Sequence, residues 1–167
     1  MMAGCAWKRY VPFMGPKPSA SKEVVSIQVI REDLWRTGGP IAILPFVPGD
    51  RVEAGRAFDR AALMIIKGAS DTFASGGSHF LTVTDNSAAS AMFVMEGGID
   101  RFEATRKWWK CGLGKKKIVI RIKAQVYERR TGEVVALVFV YKTARGARIT
   151  DKITYDLGCA IARKMGR

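Results

Sequence analysis

The feature that most constrains this chain is the alternation running from Lys117 to Arg129. Ile118, Ile120, Ile122, Ala124 and Val126 point one way, while Val119, Arg121, Lys123, Gln125 and Tyr127 point the other. That period of two places successive side chains on opposite faces of a strand, so one face is core and the other mostly solvent. Arg130-Thr131-Gly132-Glu133 supplies a hairpin turn, with Gly132 available for positive φ, and Val134 to Tyr141 returns as the paired strand. The apolar face of such a hairpin has to be covered by another layer, and the rest of the chain supplies it.

Before the hairpin, the β-branched run Glu23 to Ile30 predicts a strand with one buried face, broken by Gly38, Gly39 and Pro40. The continuously apolar stretch from Ile41 to Phe46 predicts a central strand buried on both faces and ended near Pro45. Asp50 and Glu53 have capping-box spacing ahead of Phe58, Ala62, Ile65, Ile66, Ala69 and Phe73, predicting a helix from about Arg51 to Ser75, stopped by Gly76 and Gly77. Gly68 within it reads as a close-packing point against the sheet. Phe80 to Thr84 reads as a short strand, Asn86 to Ser90 as a turn or short helix, and Ala91 to Phe102 as a strand with a bulge at Gly97 and Gly98. Thr150 caps a closing helix whose Ile153, Leu157, Ile161 and Met165 form a narrow apolar stripe. The fold class is therefore α/β of the α+β kind: a mixed, mostly antiparallel sheet of about five to six strands with two helices on one face. One domain is expected over residues 21–167, behind an extended, proline-rich tether within residues 1–20.

Chemistry is sparse. With one histidine, His79, and three cysteines, Cys5, Cys111 and Cys159, that share no close spacing, the paired-ligand pattern of a zinc site is missing, and neither a metal nor a cofactor is expected. Cys111 and Cys159 are compatible with a disulfide or with two free thiols. Cys5 and Cys159 lack a neighbouring histidine, lysines around Cys111 favour its thiolate without making it catalytic, and Gly112-Leu113-Gly114-Lys115 lacks the spacing of a phosphate loop. Asp59, Asp71, Glu96 and Asp100 are scattered over separate elements, which argues against a paired-carboxylate hydrolase, and no catalytic residue is expected.

What remains is charge. A net +13, from 28 Lys and Arg against 15 Asp and Glu, favours an anionic partner, and it concentrates in the second half of the chain. The segment Arg106, Lys107, Trp108, Trp109, Lys110 to Lys115, Lys116 and Lys117 sets adjacent tryptophans among cations between two strands. Three readings stand side by side: contact with an anionic membrane surface or envelope, base stacking with phosphate neutralisation, or a sheet edge protected by lysines and covered by a tryptophan. No stretch is long enough to span a membrane, and residues 1–20 contain no apolar core of a secretion signal. Met2-Ala3-Gly4-Cys5 nonetheless has the small residues before cysteine that end a bacterial lipoprotein signal, as a start upstream of Met1 would leave it.

Gly39 to Phe46 leading into the long helix with Lys67-Gly68-Ala69-Ser70-Asp71, and Ala91 to Gly97 before the hairpin, resemble the small bacterial envelope lipoprotein domains that include the curli-secretion lipoprotein and the lipoprotein activators of penicillin-binding proteins. The resemblance covers roughly residues 39 to 165. It implies a lipid-anchored, non-enzymatic periplasmic domain that binds envelope proteins or assembles into homo-oligomers. In that light Cys5 resembles the lipidated cysteine, and Ala6 the outer-membrane class. The expectation is an outer-membrane-anchored binding module, with a cytosolic nucleic-acid-binding domain as the alternative.

Overall fold

The computed structural model describes residues 22–76, 78–82, 89–106, 116–146 and 148–167. In chain order the elements are β1 (Lys22–Val29), α1 (Glu32–Thr37), β2 (Gly39–Ile43), β3 (Val47–Pro48), α2 (Arg56–Ala74), β4 (Phe80–Thr82), β5 (Phe93–Arg106), β6 (Lys116–Glu128), β7 (Val134–Arg145) and α3 (Asp151–Met165). The seven strands form one sheet in the order β1-β7-β6-β5-β2-β4, with β3 also pairing with β5. β1–β7, β7–β6 and β6–β5 are antiparallel; β5–β2, β2–β4 and β5–β3 are parallel.

The alternation in β6 sets its burial, except that Val119 on the opposite face is buried as well. Ile118, Ile120, Ile122, Ala124 and Val126 are buried beneath Phe58, Ala62, Ile65, Leu157 and Ile161 of α2 and α3. The turn to β7 is closed by the Gly132 amide donating to the Glu128 carbonyl at 2.8 Å, with Gly132 at φ 73°. Deeper in the core, Phe80 meets Trp35, Phe73 and Phe93 edge to face, at ring separations of 4.9, 6.2 and 5.6 Å.

The two long helices are locked together. A Cβ on Gly68 would lie 2.1 Å from the Tyr155 carbonyl oxygen, and one on Gly158 would lie 2.0 Å from that of Ile65, so each helix offers a side-chain-free spot to the other's backbone. Gly68 is indeed a packing point, but against α3 rather than the sheet. Arg60 clamps Asp151 through two nitrogens, Nε to Oδ1 at 2.8 Å and Nη2 to Oδ2 at 2.5 Å. Tyr155 donates to Asp71 at 3.0 Å, and Thr150 accepts the Ile153 amide at the start of α3 as a cap should.

Several expectations are corrected. α1 was not foreseen: six residues are too few to display a helical period, although they deliver Trp35 to the core. The apolar strand stops at Ile43 rather than Pro45 and lies next to the sheet edge, between β5 and β4, rather than at the centre; Leu44 emerges 38% exposed while Phe46 turns back into the core. α2 starts after Gly55, with no side-chain cap, because Gly49 donates to Ile99 and Val52 to Gly49, making a turn where the Asp50–Glu53 box was expected. The bulge in β5 falls between Ile99 and Arg101, just past the two glycines. With the two-residue β3 the strand count is seven instead of five to six.

Candidate binding surface

α2 and α3 cover one face of the sheet, and among the described residues no helix packs on the other. On that face the cross-strand register brings Glu96 of β5 opposite Gln125 of β6, Gln125 opposite Leu137 of β7, and Lys123 between Gly98 and Phe139. Gly97 lets β5 and β6 close up, since a Cβ there would lie 2.3 Å from the Lys123 carbonyl oxygen. The result is an open groove of about 440 Å³, walled by Leu44, Pro45 and Val47 on one side and Leu137 and Phe139 on the other. Val47 is 61% and Phe139 42% exposed, so a partner that covers them removes apolar surface from water.

Polar groups are fixed along the groove. Gln125 donates to Glu96 at 2.7 Å. Burial and the Glu96 carboxylate raise the Tyr127 hydroxyl above the usual tyrosine range. At the β5 bulge Asp100 takes Arg121 Nε at 2.7 Å and Lys123 Nζ at 3.3 Å. Burial works against its ionisation, but the hydrogen bonds from Arg121 and Lys123 outweigh that and hold its carboxyl below the ordinary aspartate value. Arg101 likewise pairs with Glu103. Arg101, Arg121 and Lys123 are thus paired with carboxylates, and the groove, where Lys123 and Glu96 stand among apolar side chains, is amphipathic.

Of the residues singled out from sequence, Lys117, His79 and Cys159 do not line the groove. Cys5, Lys107, Trp108, Trp109, Lys110, Cys111 and Lys115 lie outside the described residues. Arg106 ends β5 and Lys116 and Lys117 begin β6, with Arg106 paired to Lys116 and Thr105 to Lys117 in the backbone register. His79 sits on the helix side with its ring 4.5 Å from that of Phe80 and 6.2 Å from that of Trp35. Cys159 is a free, buried thiol in hydrogen-bond contact with the Gly68 carbonyl at 3.4 Å. Among the described residues, no three His, Cys, Asp or Glu side chains are grouped as a metal would require, and no helix is long and apolar enough to cross a membrane. The groove was missed because Lys123 and Gln125 read as solvent-facing and Leu44 as buried; its only sequence signal was Phe139 among the β7 residues facing away from the core.

No family model and no curated protein matches the sequence. Among solved structures, PelC from Paraburkholderia phytofirmans, a dodecamer, superimposes in two crystal forms with TM-scores of 0.55 and 0.56 at 12% and 13% identity, over 87% of this chain and 98% of PelC. The lipoprotein GNA1162 from Neisseria meningitidis aligns over 77% of this chain and 98% of its own, with a TM-score of 0.49 and 10% identity. At such identities the likeness is one of fold.

Proposed function

We propose that this chain is a non-enzymatic binding and assembly domain of the bacterial cell envelope, anchored through a lipid on Cys5 and working through the sheet face opposite α2 and α3. The observation that carries the reading is that face: Leu44, Val47, Leu137 and Phe139 line an open amphipathic groove on a fold shared with a protein solved as a dodecamer. A groove that is shallow and apolar, with Glu96 and Gln125 already hydrogen-bonded to each other, suits a polypeptide surface better than a small polar substrate. Anchoring is tested by labelling with a radioactive fatty acid and fractionating the cells. The expected result is label in the membrane fraction for the wild type and neither label nor membrane association for Cys5→Ala; an unlabelled wild type recovered in the cytosol removes the anchor from the reading.

The net charge of +13 favours a second reading, nucleic-acid binding through the segment containing Trp108 and Trp109. It requires single-stranded DNA affinity that falls steeply with salt and weakens on Trp108→Ala. Affinity that changes little with salt or with that substitution removes it.

A further inference from the structure

We propose that the outer edge of β1 is a self-association edge, pairing antiparallel with β1 of a second copy about a two-fold axis at Ile27. The inference rests on the assembly reading above and names the surface that assembly uses.

Among the described residues β1 is hydrogen-bonded on one side only, to β7, in a register that runs without a shift from Lys22 to Val29. Ile30 continues it, its amide donating to the Val135 carbonyl at 2.8 Å. Even-numbered residues therefore turn their backbone groups towards β7, and Glu23, Val25, Ile27 and Val29 turn theirs away from the sheet. Sheet edges are ordinarily blunted by proline, a bulge or a mid-strand charge. From Val24 to Ile30 this edge carries no proline and no charged residue, and four of its residues within β1 are β-branched.

The sequence Val24 to Ile30 is also self-complementary. Rotated about Ile27, Val24 meets Ile30 of the second copy, Val25 meets Val29, and Ser26 meets Gln28, while Glu23 and Arg31 at the ends keep their own partners, Lys142 and Asp33 with Glu133. Apolar side chains meet apolar ones and polar meet polar, which is what an isologous contact needs. Val24 and Ile30 are 43% and 51% exposed on the same side of the strand and would cover one another. Val25, Ile27 and Val29 are only partly covered by the core they pack against, and the same three residues of the second copy complete their burial. Other registers are poorer: centring on Ser26 sets Glu23 against Val29, and centring on Gln28 sets Arg31 against Val25. Pairing by this two-fold keeps the helices of both copies on one side and joins the two sheets.

The test uses the full chain. Light scattering over a concentration series is expected to show a dimer or a larger even-numbered assembly. Ile27→Pro removes both hydrogen bonds at the two-fold while leaving the ladder to β7 intact, because the Ile27 amide points outward; it is expected to raise the dissociation constant roughly ten- to hundredfold. Since Ile27 also touches the core, a second measurement avoids that residue. Ser26 and Gln28 face each other as a non-hydrogen-bonded pair about 4.5 Å apart at Cα, within disulfide range. A mixture of Ser26→Cys and Gln28→Cys chains should form a covalent dimer on mild oxidation, and either variant alone should form no more than the parent chain, whose own cysteines are common to every arm. A wild type that stays monomeric overturns both this edge and the assembly reading. An assembly that persists in Ile27→Pro and yields no cross-link overturns the edge and leaves the assembly reading standing.

Discussion

Gly158 has no room for a side chain, because the Ile65 carbonyl already occupies the space in which a Cβ would sit. Gly158→Val is therefore expected to destabilise the fold by about 2–3 kcal/mol, the upper part of the range for overpacked cores, lowering Tm by roughly 5–10 °C in a thermal melt. This requirement was not legible from the sequence at Gly158, a glycine inside an otherwise ordinary helical stripe. Asp100 belongs to the same scale. Its folded-state pKa is depressed, so the stability it contributes is fully present above the unfolded value of about 4 and is lost as pH falls through the lower folded value. Asp100→Asn should cost about 1 kcal/mol or less at pH 7. In urea denaturation repeated down to about pH 2.5, the gap between variant and wild type should close below pH 4; a gap constant with pH would rule out the ionised carboxylate as its source.

At the scale of elements, legibility followed period and length. The β6–β7 hairpin and α3 with its Thr150 cap were readable because each pattern is complete within a dozen or so consecutive residues. α1, β3 and the true start of α2 were not, since each is set by what it docks on: Trp35 on Phe80, Val47 on Gly98, Gly49 on Ile99. The same ordering should appear in local stability. β6 is paired on both sides and buried on its core face, so the amides of Ile120 and Ile122 are expected to be among the slowest to exchange with deuterated water, and those of β4, three residues at the sheet edge, to exchange faster. Equal protection across β4 and β6 would contradict this layering.

For the whole molecule, charge and shape give different information. A net +13 on 167 residues destabilises the compact state by self-repulsion, which salt screens over about 8 Å at physiological strength. Raising sodium chloride from about 20 to 200 mM at neutral pH is therefore expected to raise Tm by a few degrees; a fall would mean that local pairs such as Arg60–Asp151 outweigh the net repulsion. Near the groove that excess is partly offset, because Arg101, Arg121 and Lys123 pair there with Glu103 and Asp100. Charge alone suggested an anionic partner, whereas the groove is amphipathic.

By itself the sequence determined which face of β6 enters the core, that β7 returns beside it, where the last helix begins, and that a mixed sheet with helices on one face would result, because these depend on spacing within a short stretch of chain. Only the tertiary structure decided that β2 lies beside β5 and β4, that Gly68 and Gly158 meet, and that Leu44, Lys123 and Phe139 share a groove while β1 is left as an edge. Those relations join residues tens of positions apart, and pairing at that range is chosen by how whole faces fit rather than by any local period.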